Sequence, residues 1–143
     1  MIAIDTNILV YAHRKDSSFH KSAFKKLKEV AEGGLDWAIP WPCLHEFFAI
    51  VTHPKIYAPP STNEQALKQI ELWMDSPTLH LIGEGNHYWP KIRAIAAQNK
   101  VKGPMIHDAR VAAICMESGV TLLLTADRDF SSITGIKLQN PLE

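Results

Sequence analysis

The chain has 143 residues, 46% of them apolar and 21% charged, with fifteen Lys and Arg set against fifteen Asp and Glu. A chain of this size buries about 70% of the surface its unfolded form exposes, so one domain spanning 1–143 forms its core without disulfide staples. The even balance argues against a strongly basic nucleic-acid coat protein, though not against a nuclease whose basic groups are placed locally.

Two lone cysteines, Cys43 and Cys115, show neither CxxC nor Cys/His metal spacing, and a reducing, cytoplasmic setting is expected. The apolar N-terminal run meets Asp5 too early for a signal peptide, and no stretch approaches the ~18 apolar residues of a membrane span.

Ile2 and Ile4 with Ile8 to Tyr11 predict a short buried strand, broken by Asp5-Thr6-Asn7 and continued as an apolar turn or helix start. Ser17 or Ser18 is expected to cap a helix with a core stripe of Phe19, Ala23, Phe24, Leu27 and Val30, closed by Gly33-Gly34. Trp37-Ala38-Ile39 reads as a second strand, and Pro40-Trp41-Pro42 leads stiffly into a helix over Cys43 to Thr52. Thr62 and Gln65 make a capping box for a helix bearing Ala66, Ile70 and Trp73. Leu79 to Ile82 is a strand; Asn86 is expected to cap a helix carrying Trp89, Ile92, Ile95 and Ala96. A further helix runs from Met105 to Glu117 and ends at Gly119, Val120 to Leu124 is the most apolar strand, and Ile136 to Leu138 is expected as an edge strand. This alternation predicts a three-layer α/β/α domain with a mainly parallel sheet.

Four acids stand in unusual company. Asp5 and Asp127 follow the two most apolar strands, and ligands of open parallel sheets bind beyond the carboxyl ends of the strands. Glu46 has Cys43, Ala49 and Ile50 at its same-face offsets, and Asp108 has Met105, Val111 and Ala112, away from the polar stripe of Arg110 and Glu117. An unpaired buried charge costs several kcal/mol, and most Lys and Arg lie elsewhere, so these acids at one edge would repel each other unless a cation joined them. Oxygen-only donors suit a hard ion such as Mg²⁺ or Mn²⁺. Plainer readings stand beside this one: Asp5 as a turn or helix cap, Glu46 as a helix-dipole acid, Asp127 or Asp129 as part of a polar turn.

In order, Met1-Ile-Ala-Ile-Asp5-Thr6-Asn7, His45-Glu46-Phe47, His107-Asp108-Ala109-Arg110 and Leu124-Thr125-Ala126-Asp127-Arg128-Asp129-Phe130 resemble the PIN domain. The stretches Trp41 to Phe47 and Val51-Thr52-His53-Pro54 resemble its VapC branch, the toxins of type II toxin–antitoxin operons. The resemblance, which runs to about Pro141, implies a Mg²⁺-dependent endoribonuclease, with Mn²⁺ able to substitute. It also implies a homodimer held inactive by a VapB-type antitoxin. Carried over by position, Asp5 and Asp108 match the metal ligands, and Glu46 and Asp127 complete the acidic quartet, with Asp129 the alternative fourth acid. Thr6, Asn7 and Thr125 match the residues that orient those carboxylates. Pro104 stands where close relatives are expected to carry Asn.

Lys100, Lys102, Arg110 and Arg128 flank these segments and are candidates for RNA-phosphate contacts, or solvated loop charges. The aromatics Trp41, Phe47, Phe48, Trp73, Tyr88 and Trp89 exceed what a thin helical layer hides, which suggests that some form a partner or dimer face. The loop from Tyr57 to Thr62 is a candidate for setting the choice of RNA. A dehalogenase-like phosphatase would need an acid where Asn7 stands, and a zinc protease a His where Ala49 stands. No phosphate-cradling P-loop is present. The non-enzymatic alternative is an RNA- or protein-binding PIN module.

Overall fold

In the computed structural model, which describes every residue except Thr134, five strands make one all-parallel sheet in the order β3-β2-β1-β4-β5. The strands are β1 (Ile2–Ile4), β2 (Trp37–Pro40), β3 (Leu79–Ile82), β4 (Leu122–Leu124) and β5 (Lys137–Gln139). Ile2 pairs with Trp37 on one side and Leu122 on the other, so β1 is the centre of the sheet. Its neighbours are built from Ala38, Ile39, Leu123 and Leu124, all fully buried, as a parallel sheet covered on both faces requires.

The helices are α1 (Thr6–His13), α2 (His20–Glu32), α3 (Trp41–Val51), α4 (Asn63–Met74), α5 (Tyr88–Gln98) and α6 (Met105–Glu117), with a 3-10 turn over Arg128–Ser132. From β1 the chain winds outward through β2 to β3, then returns to β4 and winds the other way to β5. The reversal falls between β1 and β4, and such a switch point opens a crevice at the carboxyl ends of the strands. Asp5 follows β1 and Asp127 lies just beyond β4, so the topology brings them to the two sides of that crevice. The ladder runs past the strands here: the Asp5 amide donates to the Leu124 carbonyl at 2.9 Å.

The expected alternation, the Thr62–Gln65 capping box and the Gly119 stop, at φ +76, are all present. Local details differ. The strand containing Ile2 stops at Ile4, and Ile8 to Tyr11 belong to α1. Neither Ser17 nor Ser18 caps α2; Phe19 holds that position, and the Ser17 hydroxyl accepts the Phe19 amide at 3.1 Å in the preceding turn. Ala23 and Leu27 are buried, whereas Phe19 and Phe24 are 45% and 51% exposed. Phe24 sits about 100° round the helix from Ala23 and so falls off the narrow buried stripe. Asn86 does not cap α5, whose cap position is His87. The Glu117 carboxylate from α6 accepts the Gly85 and His87 amides at 3.1 and 2.9 Å instead. On α5, Ile92 and Ile95 enter the core and Trp89 stays 66% exposed.

Candidate active site

Asp5 occupies two roles at once. It is the N-cap of α1, with its Oδ1 accepting the Thr6 amide at 2.8 Å, and it is 5% exposed at the floor of the crevice. The Cys43 thiol lies 3.5 Å from the same oxygen, and Oδ2 accepts the Thr125 hydroxyl at 2.7 Å. Burial pushes the Asp5 carboxyl up to about 6, against the opposing pull of these hydrogen bonds. The cap and the ligand readings of Asp5 therefore describe one geometry.

Thr125 is the hub of the crevice. Its oxygen accepts the Asp127 amide at 2.9 Å and lies 3.5 Å from Asn7 Nδ2, while Asn7 Oδ1 accepts the Ala126 amide at 3.1 Å. Thr6 donates through its hydroxyl to Glu46 Oε2 at 3.3 Å, which ties the middle of α3 to the start of α1.

Glu46 is exposed, as are His45 and Ala49, so α3 is not apolar all round: Cys43, Leu44, Phe47 and Val51 face the core. Glu46 lies beyond the first turn of α3, too far along to serve the helix dipole there.

Asp108 stands in the first turn of α6 and is half-buried. Its carboxyl is raised to about 6, first by burial and then by the charges of Asp127, Asp5, Asp129 and Glu46. Carboxylate oxygens of Asp108, Asp127 and Asp129 lie within 4.8 Å of one another. Asp127 is partly held by its own turn, where its Oδ1 accepts the Asp129 amide at 2.8 Å; Asp129 is exposed. A cavity of about 460 Å³ adjoins them, lined by Pro104, Met105, Asp108, Arg128, Asp129, Ser131 and Ser132. Among the described residues no Lys, Arg or His forms an ion pair with any of the five acids. Such a donor set, all oxygen and without a protein cation, fits a hard divalent ion.

Of the basic candidates, Arg128 reaches the cavity wall. Arg110 turns away to pair with Glu84, and Lys100 and Lys102 are exposed on the loop before α6. Two features escaped sequence reasoning. Cys43 reads as core, although it stands one helical turn before Glu46; Ser131 and Ser132 reach the cavity only because the 3-10 turn folds back. Of the six aromatics, Phe47 and Trp73 are buried, Phe48 and Tyr88 half-buried, and Trp41 and Trp89 exposed.

An all-parallel sheet with carboxylates at its switch point is the class of α/β fold in which acid-based, metal-assisted chemistry sits; the PIN domain profile matches residues 2–136, and the chain belongs to that family. Within the family its likeness is to VapC proteins. It is 31% identical over 138 residues to Ribonuclease VapC48 of Mycobacterium tuberculosis, covering 96% of this chain and 94% of that one. With Ribonuclease VapC43 of the same organism it shares 28% identity over 143 residues, 100% of this chain and 97% of the relative. In fold it matches a chain of the VapBC2 structure from Rickettsia felis at a TM-score of 0.68 and 23% identity, over 98% of both chains.

Proposed function

We propose that the protein is a metal-dependent endoribonuclease, the toxin of a VapBC-type toxin–antitoxin pair. The observation that carries this reading is the set of carboxylates without a cation partner at the switch point: the close group of Asp108, Asp127 and Asp129, with Asp5 buried beside the same crevice and the carboxyls of Asp5 and Asp108 pushed up by burial. The relatives bearing the name ribonuclease VapC, and covered over nearly their whole length, support it.

Asp5 and Asp108 are the residues we assign to hold Mg²⁺, with Mn²⁺ able to substitute, and Asp127 and Glu46 complete the set, Asp129 being the alternative fourth acid. A divalent ion held by these carboxylates would supply charge stabilisation for a phosphoryl group and a lowered pKa for bound water. Thr125 and the Thr6 amide fix both oxygens of Asp5, and Asn7 fixes the Ala126 amide beside them. The carboxylate of Asp127 or Glu46 takes the proton of the attacking water. Arg128 is the basic residue we assign to phosphate contact, since it is the one among the four candidates that lines the cavity of Asp108 and Asp129. Arg110 is paired with Glu84 in the free protein and stands as the weaker candidate beside Arg128.

The partner reading assigns an apolar groove between α2 and α4 to a VapB-type antitoxin. Ala12, Phe24, Leu27, Leu72 and Trp73 line it, and Phe24 and Leu72 are 51% and 56% exposed. Of the six aromatics expected to include a partner face, Trp73 lines this groove. A homodimer and a cytoplasmic location, where RNA is met, belong to the same proposal; no helix among the described residues is long and apolar enough to cross a membrane.

The test is cleavage of structured RNA by the purified protein in Mg²⁺. Loss of cleavage in EDTA and in Asp5→Asn and Asp108→Asn, with 5′-phosphate and 3′-hydroxyl ends, supports the reading. Cleavage that survives EDTA, or 2′,3′-cyclic phosphate ends, rejects it; binding without cleavage favours a non-catalytic PIN module.

A further inference from the structure

At the carboxyl end of β2, the strand beside the one that leads to Asp5, stands an aromatic pair. Trp41 opens α3 directly after β2, the strand that pairs with β1. Its side chain is 39% exposed, while Trp37 and Trp73 are buried. The exposed imidazole of His45, one helical turn on, lies 6.2 Å from the Trp41 ring, centroid to centroid, with the planes tilted by 31°. Gly83, just past β3, lies against one edge of the indole: a Cβ there would make van der Waals contact with Trp41 Cδ1 at 3.4 Å.

The pair is tied to the acidic site by covalent order. His45 precedes Glu46, whose carboxylate accepts the Thr6 hydroxyl beside Asp5. Beyond the pair lie Glu84 and Arg110, which neutralise each other; the Glu84 carboxyl is held low chiefly by the Arg110 hydrogen bond and, more weakly, by His45. This flank therefore offers flat, weakly charged ring surface, where the acids beyond β1 and β4 offer charge. Phosphate gains little from an indole face, whereas every nucleobase has a π-face that stacks on one.

We propose that Trp41, supported by His45, is the stacking platform for an unpaired nucleobase flanking the phosphodiester held at the acids. The proposal rests on the nuclease reading for the position of that phosphodiester. Base stacking on such a platform tolerates any base and selects for strands whose bases are free. A paired base in a duplex cannot turn its face to Trp41 without unstacking.

The experiment is binding of a single-stranded RNA of roughly ten nucleotides, within the range of lengths that stacking grooves engage. The full chain is held in Ca²⁺ rather than Mg²⁺, and affinity and tryptophan emission are both read. A ribose–phosphate strand of equal length without bases and a duplex of the same sequence serve as comparisons. The single strand is expected to quench emission; Trp41→Phe keeps affinity within about threefold but loses the quench, and Trp89→Phe keeps the quench. Trp41→Ala weakens the single strand about tenfold and leaves the baseless strand unchanged, and His45→Ala gives a smaller loss in the same pattern.

A quench that persists in Trp41→Phe, equal losses for RNA and baseless strand in Trp41→Ala, or no binding of the single strand overturns the proposal. So does an indole that neither RNA nor acrylamide reaches because a second copy of the chain covers it. Cleavage scored separately in Mg²⁺ keeps the two readings apart: stacking without cleavage rejects the nuclease, and cleavage indifferent to Trp41 rejects the platform.

Discussion

The Thr125 hydroxyl donates to Asp5 Oδ2 at 2.7 Å, joining the ends of two adjacent strands from residues 120 apart in the chain. The same oxygen accepts the Asp127 amide at 2.9 Å. One buried hydroxyl thus sets the orientation of one acid and the backbone position of another, the kind of supporting contact that decides how well a metal-ligand set is pre-formed.

Thr125→Val keeps the shape and removes that contact. The Asp127 amide loses its acceptor, at a cost of about 1–3 kcal/mol. Mn²⁺ affinity, read by titration calorimetry, is expected to fall about tenfold to a hundredfold, and RNA cleavage with it. Thr125→Ser restores both. Unchanged Mn²⁺ affinity in the Val variant would show that Thr125 is only a packing residue.

Asp127 and Asp129 compete for the fourth acidic position, and their surroundings separate them. Asp127 is half-buried with its amide pinned by Thr125; Asp129 is exposed. Asp127→Asn is expected to lower the cleavage rate more than about a hundredfold and Asp129→Asn less than about tenfold. The reverse order, measured by single-turnover cleavage, reassigns the acid to Asp129.

The strand ends were legible because two signals coincide there: apolar runs that demand burial, and carboxylates that resist it. Asp5 and Asp127 stand out for that reason, and their shared edge follows from parallel topology; Asp108 stands out by its apolar neighbours on one face of α6. Contacts between distant segments were not legible. Glu117 replaces Asn86 at the start of α5 from 30 residues away, and Glu84 claims Arg110 from 26 residues away. Periodicity likewise ranks apolar residues by helical face but does not say how wide the covered stripe is. Phe24 and Trp89 lie outside it and remain exposed.

The groove of Phe24 and Leu72 makes a separate prediction. Phe24→Lys or Leu72→Lys places a charge among apolar contacts, and each is expected to weaken binding of the cognate antitoxin more than about tenfold in titration calorimetry. Both side chains are exposed, so the thermal midpoint of the free protein should move little. Full affinity in both variants would place the antitoxin on another face.

Asp108 links the acidic cluster to stability, and the sign follows from its environment. Its carboxyl titrates near 3.8 in an unfolded chain and about 6 in the fold, so the fold binds this proton more tightly. The resulting stability is complete below 3.8 and is lost as pH rises through about 6, leaving the ion-free protein under electrostatic load at neutral pH. Asp108→Asn removes that load. In EDTA the variant should melt about 3 °C above wild type at pH 7, an effect of about 1 kcal/mol once solvent screening is discounted, and the gap should narrow toward pH 5. His13 titrates in the opposite sense, its burial lowering its pKa, but it is common to both proteins and cancels in the difference. Adding Mn²⁺ at pH 7 should raise the wild-type midpoint and leave the variant nearly unmoved, because the substitution removes a carboxylate assigned to hold the ion and with it the binding that stabilises the fold. If the variant gains nothing at pH 7, the carboxylates are not opposing one another, and the case for a cation at this edge fails with them.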